Sequence, residues 1–403
     1  MKKAGIITIG NEIISGDIVD TNSRFLSESL KDIGYKTDII ISVGDDFKNI
    51  NNAFLYTLEY CDFIIITGGL GPTIDDITIE CIAKSLNRNL IFDETILKDI
   101  EDKFSKRNRI MTKNNFKQAY RIENSNIIEN KKGTAVGSYL NVNETEIIIL
   151  PGPPDELEYL FNKIKYNFIT NNHINTIIIK FVGIGESKLE SEIIDLISDD
   201  VVFGIFADKQ FVDIKLTAYG CNQNENLNIL NGYRTKIIKK LGKYVYSTKD
   251  SIMQVIVDIL RNRGETLAIC ESCTGGMLTS MFVDIAGVSD VLNEGLVTYT
   301  NLSKHLRLGI DEETILKYDA VSVEVAKEMA LNIVKTTGAN LGVSITGMAS
   351  YVPNSKPVGL VYIGIYYRGK TSVKELHLDG DRSIIRKRSC QCALESIYRI
   401  LKE

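Results

Sequence analysis

Residues 270–276, Cys-Glu-Ser-Cys-Thr-Gly-Gly, place a C-x-x-C pair, a hydroxyl and a glycine-rich turn directly behind the apolar run "ETLAI". A redox pair needs thiols of depressed pKa, and the acidic Glu271 between these two pushes them the other way. A zinc half-site needs a second pair, yet Cys390 and Cys392 stand one residue apart with no histidine cluster nearby. Cys270 therefore reads as packing at a strand end. A hydroxyl nucleophile fits Ser272 better, provided something activates it. The only histidines are His173 in the linker region, His305, and His377 in a strand expected to be half buried. A desolvated lysine can replace histidine as base. Lys304, with Tyr299 five residues before it and Ser289 in "AGVSD", makes such a set. Thr274, Gly275 and Gly276 could open a helix against an anion.

A second set of residues is "TGGLGPTIDD", 67–76. Gly68, Gly69 and Gly71 let a backbone approach a ligand and aim its N–H groups at an anion. Thr73 adds a hydroxyl, and Asp75 and Asp76 add carboxylates suited to a hard divalent cation held against phosphates. The spacing is neither that of a Walker loop nor G-x-G-x-x-G, which disfavours ATP and NAD. A plain turn with N-capping aspartates is the competing reading. Asp17 and Asp20 supply further carboxylates at another expected strand end.

These residues need a scaffold. A chain of 403 residues exceeds one ordinary core, so two or three domains are expected. With 44% hydrophobic and 25% charged residues, the composition is that of a soluble globular protein. The formal charge of −5 argues against nucleic-acid binding through a basic field. No window approaches the roughly 18 apolar residues of a membrane span. The opening "MKKAGIITIGNEIISGD" reads as a first strand, not a signal peptide. Seven cysteines without a framework fit a reducing, cytoplasmic setting.

Apolar runs at 3–10, 36–44, 61–69 and 145–152 predict strands buried on both faces. Helical spacing at 20–33, 47–59 and 75–87 falls between them, with Asp20 or Thr21 and Asp75 or Asp76 as caps. That alternation predicts an α/β domain over 1–168 with a mostly parallel sheet. Ligands of such sheets sit beyond the carboxyl ends of the strands, where "TGGLGPTIDD" and "GNEIISGD" fall. Residues 171–248 read as a small α+β module. Residues 251–403 read as a second α/β domain, with helices at 251–263, 274–285, 322–336 and from Asp381 to Lys402.

The stretches "GNEIISGDIVDTNSRFL", "VGDD" (43–46), "TGGLGPTIDD", "NNFKQA" (114–119), "GTAVG" (133–137) and "LPGPPDEL" (150–157) resemble the CinA family. So do "ESCTGG", "DIAGVSDVLNEGLVTYTNLSKHLRLG", "VSITGMA" and "GDRSIIR", and the likeness covers essentially the whole chain. The resemblance implies an N-terminal domain of molybdopterin-binding-like fold with a cation-dependent ADP-ribose pyrophosphatase activity. On that reading Gly68, Gly69, Gly71 and Thr73 meet phosphate, and Asp75 and Asp76 hold Mg²⁺ or a similar ion. Asn11, Glu12, Asn22 and Gln118 fill further motif positions there. The middle module would be KH-type; it has no G-x-x-G loop to clamp RNA, so a spacer or dimerisation role is expected. A homodimer is what the family suggests.

For the last domain the resemblance implies a nicotinamide-nucleotide amidase that needs no metal and converts nicotinamide mononucleotide to nicotinate mononucleotide and ammonia. Ser289 would attack, Lys304 take its proton, Tyr299 relay or orient, and Ser272 assist; the reverse order of the two serines stays open. Backbone N–H groups around Thr346, Gly347 and Ala349 would hold the oxyanion. Thr274, Gly275 and Gly276, with Arg382 or Arg386, would take the 5′-phosphate. The chain departs from the family pattern at Ile122, Val136 and the pair Ser350–Tyr351. Two rival readings, a non-catalytic adaptor in competence or DNA repair and a molybdopterin carrier, rest on the family name and fold analogy.

Overall fold

The computed structural model describes residues 1–208, 211–353 and 355–403. The protein is a mixed α/β chain that divides into two compact units, 1–176 with 217–230 and 177–216 with 231–403. The division falls within the KH-like middle module.

In the first unit the elements are β1 (Lys3–Ile9), α1 (Asn11–Ile14), α2 (Thr21–Asp32), β2 (Lys36–Val43), α3 (Phe47–Tyr60), β3 (Phe63–Thr67), α4 (Thr78–Ser85), β4 (Leu90–Phe92), α5 (Glu94–Lys106), β5 (Tyr120–Ile122), β6 (Asn126–Ile128), β7 (Gly137–Val142), β8 (Thr145–Leu150) and α6 (Pro154–Ile164). Six strands form one sheet in the order β2-β1-β3-β8-β7-β6. The first four run parallel, whereas β7 and β6 are antiparallel additions. Isoleucine-rich strands suit this, because a β-branched side chain packs well on a pleated, covered surface.

Alternation sends each strand's neighbours to opposite faces. Ile7, Ile64, Ile66, Ile147 and Ile149 meet Ile50 and Phe54 of α3 and Ile82 of α4. Ile6, Phe63, Ile65 and Ile148 meet Leu26 and Leu30 of α2 and Leu157, Leu160 and Phe161 of α6. The expectation of strands buried on both faces fails only at β2, an edge strand whose residues are half-buried or exposed. Asp20 caps α2 as predicted, its carboxylate accepting the Ser23 N–H at 2.9 Å. Asp75 and Asp76 do not cap α4; the helix starts later, behind Ile77, and has no side-chain cap.

The middle elements are β9 (His173–Val182), α7 (Glu186–Ile193), β10 (Val202–Asp208), β11 (Phe211–Gly220), α8 (Gln223–Leu241) and β12 (Val245–Ser247), with sheet order β10-β11-β9-β12. His173, read above as linker, starts β9.

The rest of the second unit comprises α9 (Ile252–Arg263), β13 (Leu267–Glu271), α10 (Met277–Val283), β14 (Leu292–Val297), α11 (Asn301–Leu308), α12 (Glu312–Tyr318), α13 (Val323–Thr337), β15 (Leu341–Gly347), β16 (Leu360–Tyr367), β17 (Lys370–His377) and α14 (Arg382–Lys402). Its sheet runs β14-β13-β15-β16-β17, with β13 next to the edge strand and parallel to both neighbours. Ile269, Val343 and Ile345 pack on α9 and α14 through Ile256, Leu260 and Ile397. Ala268 and Cys270 face Val325, Met329 and Ile333 of α13. His377 is exposed rather than half buried, because β17 is the sheet's other edge. Among the described residues no helix is long and apolar enough to cross a membrane.

One turn of the first unit is set by a glycine. Gly68 has φ +103, and a Cβ there would lie 2.0 Å from the Ile9 carbonyl oxygen. Its absent side chain lets the end of β3 lie against β1, which is a packing requirement in its own right. Gly68→Ala should therefore destabilise this unit by about 2–4 kcal/mol, from the clash plus the left-handed backbone. Chemical denaturation of both proteins measures this, and a change below about 0.5 kcal/mol would contradict the packing described.

Candidate functional site

In the second unit β13 delivers Ser272 just beyond its carboxyl end, and the Ser272 N–H donates to the Ile345 carbonyl at 2.9 Å. Lys304 arrives on α11, whose first turn is fixed by a reciprocal capping box between Thr300 and Ser303 and whose end is closed by Gly309. This helix was missed in the sequence, although Thr300, Ser303 and Gly309 were its signal. Lys304 is only 1% exposed. Its amine lies 3.1 Å from Ser272 Oγ and 2.9 Å from the Thr298 carbonyl oxygen. Burial lowers the lysine's pKa to about 8, partly offset by the negative charge of Asp319. At neutral pH about one tenth of such an amine is uncharged, far more than of an ordinary lysine.

Ser289 is elsewhere. It lies exposed on a short 3-10 turn just before β14, and the start of β13 is tied there by Leu267 N–H to the Val291 carbonyl. Ser272 and Ser289 thus sit at opposite ends of parallel strands, on the order of 15 Å apart for a five-residue strand. The assignment of Ser289 as the serine served by Lys304 is corrected: the amine's partner is Ser272.

The Thr-Gly-Gly turn and the helix start behind it are partly spent within the fold, although the Thr274 hydroxyl is buried with no hydrogen-bond partner among the described residues. The carboxylate of Glu271, fully buried, already accepts the N–H of Leu278 at 3.1 Å and of Thr279 at 2.8 Å, and the Thr279 hydroxyl at 2.7 Å. A phosphate cannot share that position with a buried carboxylate. The Gly275 and Met277 N–H groups are spent on the carbonyls of Ser272 and Thr274. Glu271 instead locks the turn that presents Ser272. Arg386 supports the same turn, donating to the Thr274 carbonyl at 2.8 Å. Arg382 is exposed and bonds the hydroxyls of Tyr299 and Ser350, both at 2.9 Å. Tyr299 is therefore an Arg382 partner, with no bond to the Lys304 amine.

Of the expected oxyanion donors, Thr346 turns its hydroxyl to the Ala320 carbonyl. Met348 N–H donates to the Leu360 carbonyl, so antiparallel alternation puts the Thr346 amide in the β16 ladder and the Gly347 amide on the β13 side, beside Ser272. Ala349 is buried next to it. The cysteines are bystanders: Cys270 donates to the Met329 and Val343 carbonyls, and burial pushes the Cys273 thiol up to about 12.

The first unit holds a cavity of about 500 Å³ at the carboxyl ends of its parallel strands. Gly68, Gly69, Gly71, Asp75, Asp76, Glu12, Asn22 and Gln118 line it, as do Asp20, Asp45 and Glu156. Six carboxylates thus face it, and no described lysine or arginine does. Burial raises the Asp45 pKa, and the neighbouring charges of Glu12, Asp75 and Asp76 add to the rise against a bond from the Asn11 N–H. Asp45 and Glu156 were not singled out in the sequence, though both lie inside quoted motifs.

Several expected phosphate ligands also tie the surrounding loops together. Asn11 is bonded reciprocally to Asp45, at 2.9 and 3.3 Å. Asn22 donates to the Gly152 carbonyl at 2.7 Å, and Gln118 to the Leu70 carbonyl at 3.1 Å. A Cβ on Gly69 would meet the Thr78 hydroxyl, and one on Gly71 the Asp76 carboxylate. Thr73 donates its N–H to Asp76 at 2.8 Å and its hydroxyl to Asp75 and Asp76, which holds the Asp75 carboxyl below its usual range. Among the described residues no three His, Cys, Asp or Glu converge as a ready metal site. The oxygen donors still suit Mg²⁺, which is commonly bound by one or two carboxylates and completed by waters and substrate phosphates.

The class is that of a chain with a molybdopterin-binding-like domain, a KH-like module and an α/β domain carrying a buried serine–lysine pair. Residues 5–171 match the family model described as probable molybdopterin binding domain, 176–247 the damage-inducible protein CinA KH domain, and 249–401 the CinA C-terminal domain. A putative competence-damage inducible protein of Clostridium botulinum (strain Kyoto / Type A2) is 39% identical, across 99% of this chain and 100% of its own. A CinA-like protein of Kosmotoga olearia is 38% identical, across 99% of each. The crystal structure of a CinA protein of unknown function from Thermoplasma acidophilum is 38% identical, covering 42% of this chain and 100% of its own, with a TM-score of 0.40. The chain belongs to the CinA family.

Glu271→Ala should destabilise the second unit by about 3 kcal/mol, because it strips charged-acceptor bonds from two buried amides. Glu271→Gln, which keeps one acceptor oxygen, should recover part of this. Thermal melts compare the three proteins, and a neutral alanine variant would refute the locking role.

Proposed function

We propose that the second unit hydrolyses the carboxamide of nicotinamide mononucleotide. The contact between a buried, pKa-depressed Lys304 amine and the Ser272 hydroxyl carries this reading. The neutral amine takes the Ser272 proton as Oγ attacks the carboxamide carbon. The Gly347 N–H, facing the β13 edge, supports the developing oxyanion; such a donor is worth about 3 kcal/mol in comparable acyl transfers. Collapse breaks the C–N bond, and the proton held by Lys304 leaves with the nitrogen as ammonia. Water then attacks the acyl ester, Lys304 takes its proton, and Ser272 regains it with release of the carboxylate. The products are nicotinate mononucleotide and ammonia. Arg382, exposed and held by two hydroxyls, can exchange them for the substrate phosphate.

We further propose that the first unit hydrolyses ADP-ribose with a divalent cation. Six carboxylates around one cavity repel a bare pyrophosphate, so a cation must accompany it. Asp75 and Asp76 are the residues that would hold it, with waters and the substrate phosphates completing its shell. When bound, it would neutralise phosphate charge and polarise a phosphoryl oxygen. Pterin binding is a second reading of the same cavity, favoured by the match of residues 5–171. A cytoplasmic homodimer is the expected setting of both activities.

Ammonia release from nicotinamide mononucleotide tests the first proposal. Ser272→Ala and Lys304→Met should each lose about 10³-fold in kcat, while Ser289→Ala stays within about twofold. Because the base must be uncharged, kcat should rise about tenfold per pH unit below pH 8 and level off above it. A flat profile from pH 6 to 9, or a fully active Lys304→Met, would remove the base, and absence of any turnover would leave the adaptor reading. For the cavity, ADP-ribose hydrolysis should stop with chelator, return with Mg²⁺ and fall at least tenfold in Asp76→Asn. Chelator-resistant turnover would refute the cation.

A further inference from the structure

Residues 103–117 carry six bases, Lys103, Lys106, Arg107, Arg109, Lys113 and Lys117, and no acid, in a chain of net charge −5. Three of these bases line a separate pocket of about 260 Å³ in the first unit: Lys103, Arg107 and Arg109, together with Pro72, Asn115 and Thr134. Pro72 and Thr134 also line the 500 Å³ acidic cavity, so the two hollows share a wall. One is lined by six carboxylates and the other by three bases.

The basic pocket has a fixed floor. The Thr112 hydroxyl and N–H donate to the Asn115 side-chain oxygen at 3.0 and 3.2 Å, Asn115 donates to Gln118 at 3.1 Å, and Gln118 to the Leu70 carbonyl at 3.1 Å. This chain runs from the basic segment to the glycine loop of the acidic cavity. Lys103 is largely buried and neutralised by Asp99, with a further bond to the Asn130 carbonyl at 2.6 Å. Arg107 spends one N–H on the Lys132 carbonyl at 3.1 Å. Among the described residues neither Arg107 nor Arg109 has a carboxylate partner. Two unneutralised guanidinium forks beside a threonine hydroxyl suit a doubly charged, three-oxygen anion.

We propose that this pocket is an anion subsite of the acidic cavity, taking the terminal phosphate monoester of a nucleotide whose pyrophosphate lies in that cavity. The inference rests on the pyrophosphatase reading and narrows it: the preferred substrate class is a phosphorylated ADP-ribose rather than ADP-ribose itself. The cation-assisted pyrophosphate and the arginine-bound monoester are then recognised by opposite electrostatics on the two sides of the Pro72–Thr134 wall.

The test uses the full chain with Mg²⁺ and compares kcat/KM for ADP-ribose 2′-phosphate and ADP-ribose. Wild type should favour the phosphorylated compound by about tenfold, and the ratio should fall to about one in Arg107→Ala with Arg109→Ala. A wild-type ratio of one, or a ratio unaltered in the double variant, overturns the subsite. If neither compound is hydrolysed, the pyrophosphatase reading fails, and the subsite is judged by calorimetry with inorganic phosphate at millimolar concentration. Phosphate binding lost in the double variant supports the pocket; its absence in wild type, or persistence in the variant, refutes it. Binding of a single-stranded oligonucleotide that outcompetes phosphate and depends on the same arginines would also refute it, by assigning the patch to nucleic acid.

Discussion

A lysine amine held out of water against a serine hydroxyl is the interaction on which the proposed chemistry of the second unit depends. In water that amine would be charged and useless as a base; enclosed, it is pushed towards neutrality. Enclosure requires α11 to start and stop at fixed residues, and it requires β13 to end where Ser272 meets the amine. The buried carboxylate of Glu271 secures the second condition by fastening the start of α10 to the strand end. A group adjacent to Ser272 thus serves architecture, its carboxylate bonded to the backbone amides of Leu278 and Thr279.

The first unit solves a different electrostatic problem. Its cavity concentrates like charges that would ordinarily be dispersed, and burial, with that crowding added, raises the pKa of the Asp45 carboxyl. The hydrogen bonds of Asn11, Asn22 and Gln118 keep the loops that carry these charges in place. Amide side chains suit that task, since they donate to carbonyl groups without adding charge to an already acidic hollow. The basic segment 103–117 lies across a shared wall, so charge is segregated between adjacent hollows and not averaged over the surface.

Sequence patterning reached most elements, because hydrophobic period and caps are local. The parallel strands of both sheets fell within a few residues of their observed limits, and Asp20 and Asp381 cap the helices they were expected to begin. Elements without a strong period were lost: α11, the short antiparallel strands β6 and β7, and α5. The membership of the sites was legible in part. Ser272 and Lys304 were both named, as were most residues of the acidic cavity. Their partnerships were not, since hydroxyl, amide and carboxylate residues carry no mark in sequence of whether they face a ligand or a neighbouring carbonyl.

From the sequence alone came the α/β class, the family likeness and the choice of Lys304 over a histidine as the candidate base. Those follow from residue types and short-range spacing. Tertiary structure alone decided which serine the lysine serves, because Ser272 and Ser289 lie at opposite ends of parallel strands although both precede Lys304 in the chain. It also decided that the Leu278 and Thr279 amides at the start of α10 are taken, because a carboxylate one residue before the serine folds back onto them. Both outcomes depend on burial and strand direction, which set distance in space independently of distance along the chain.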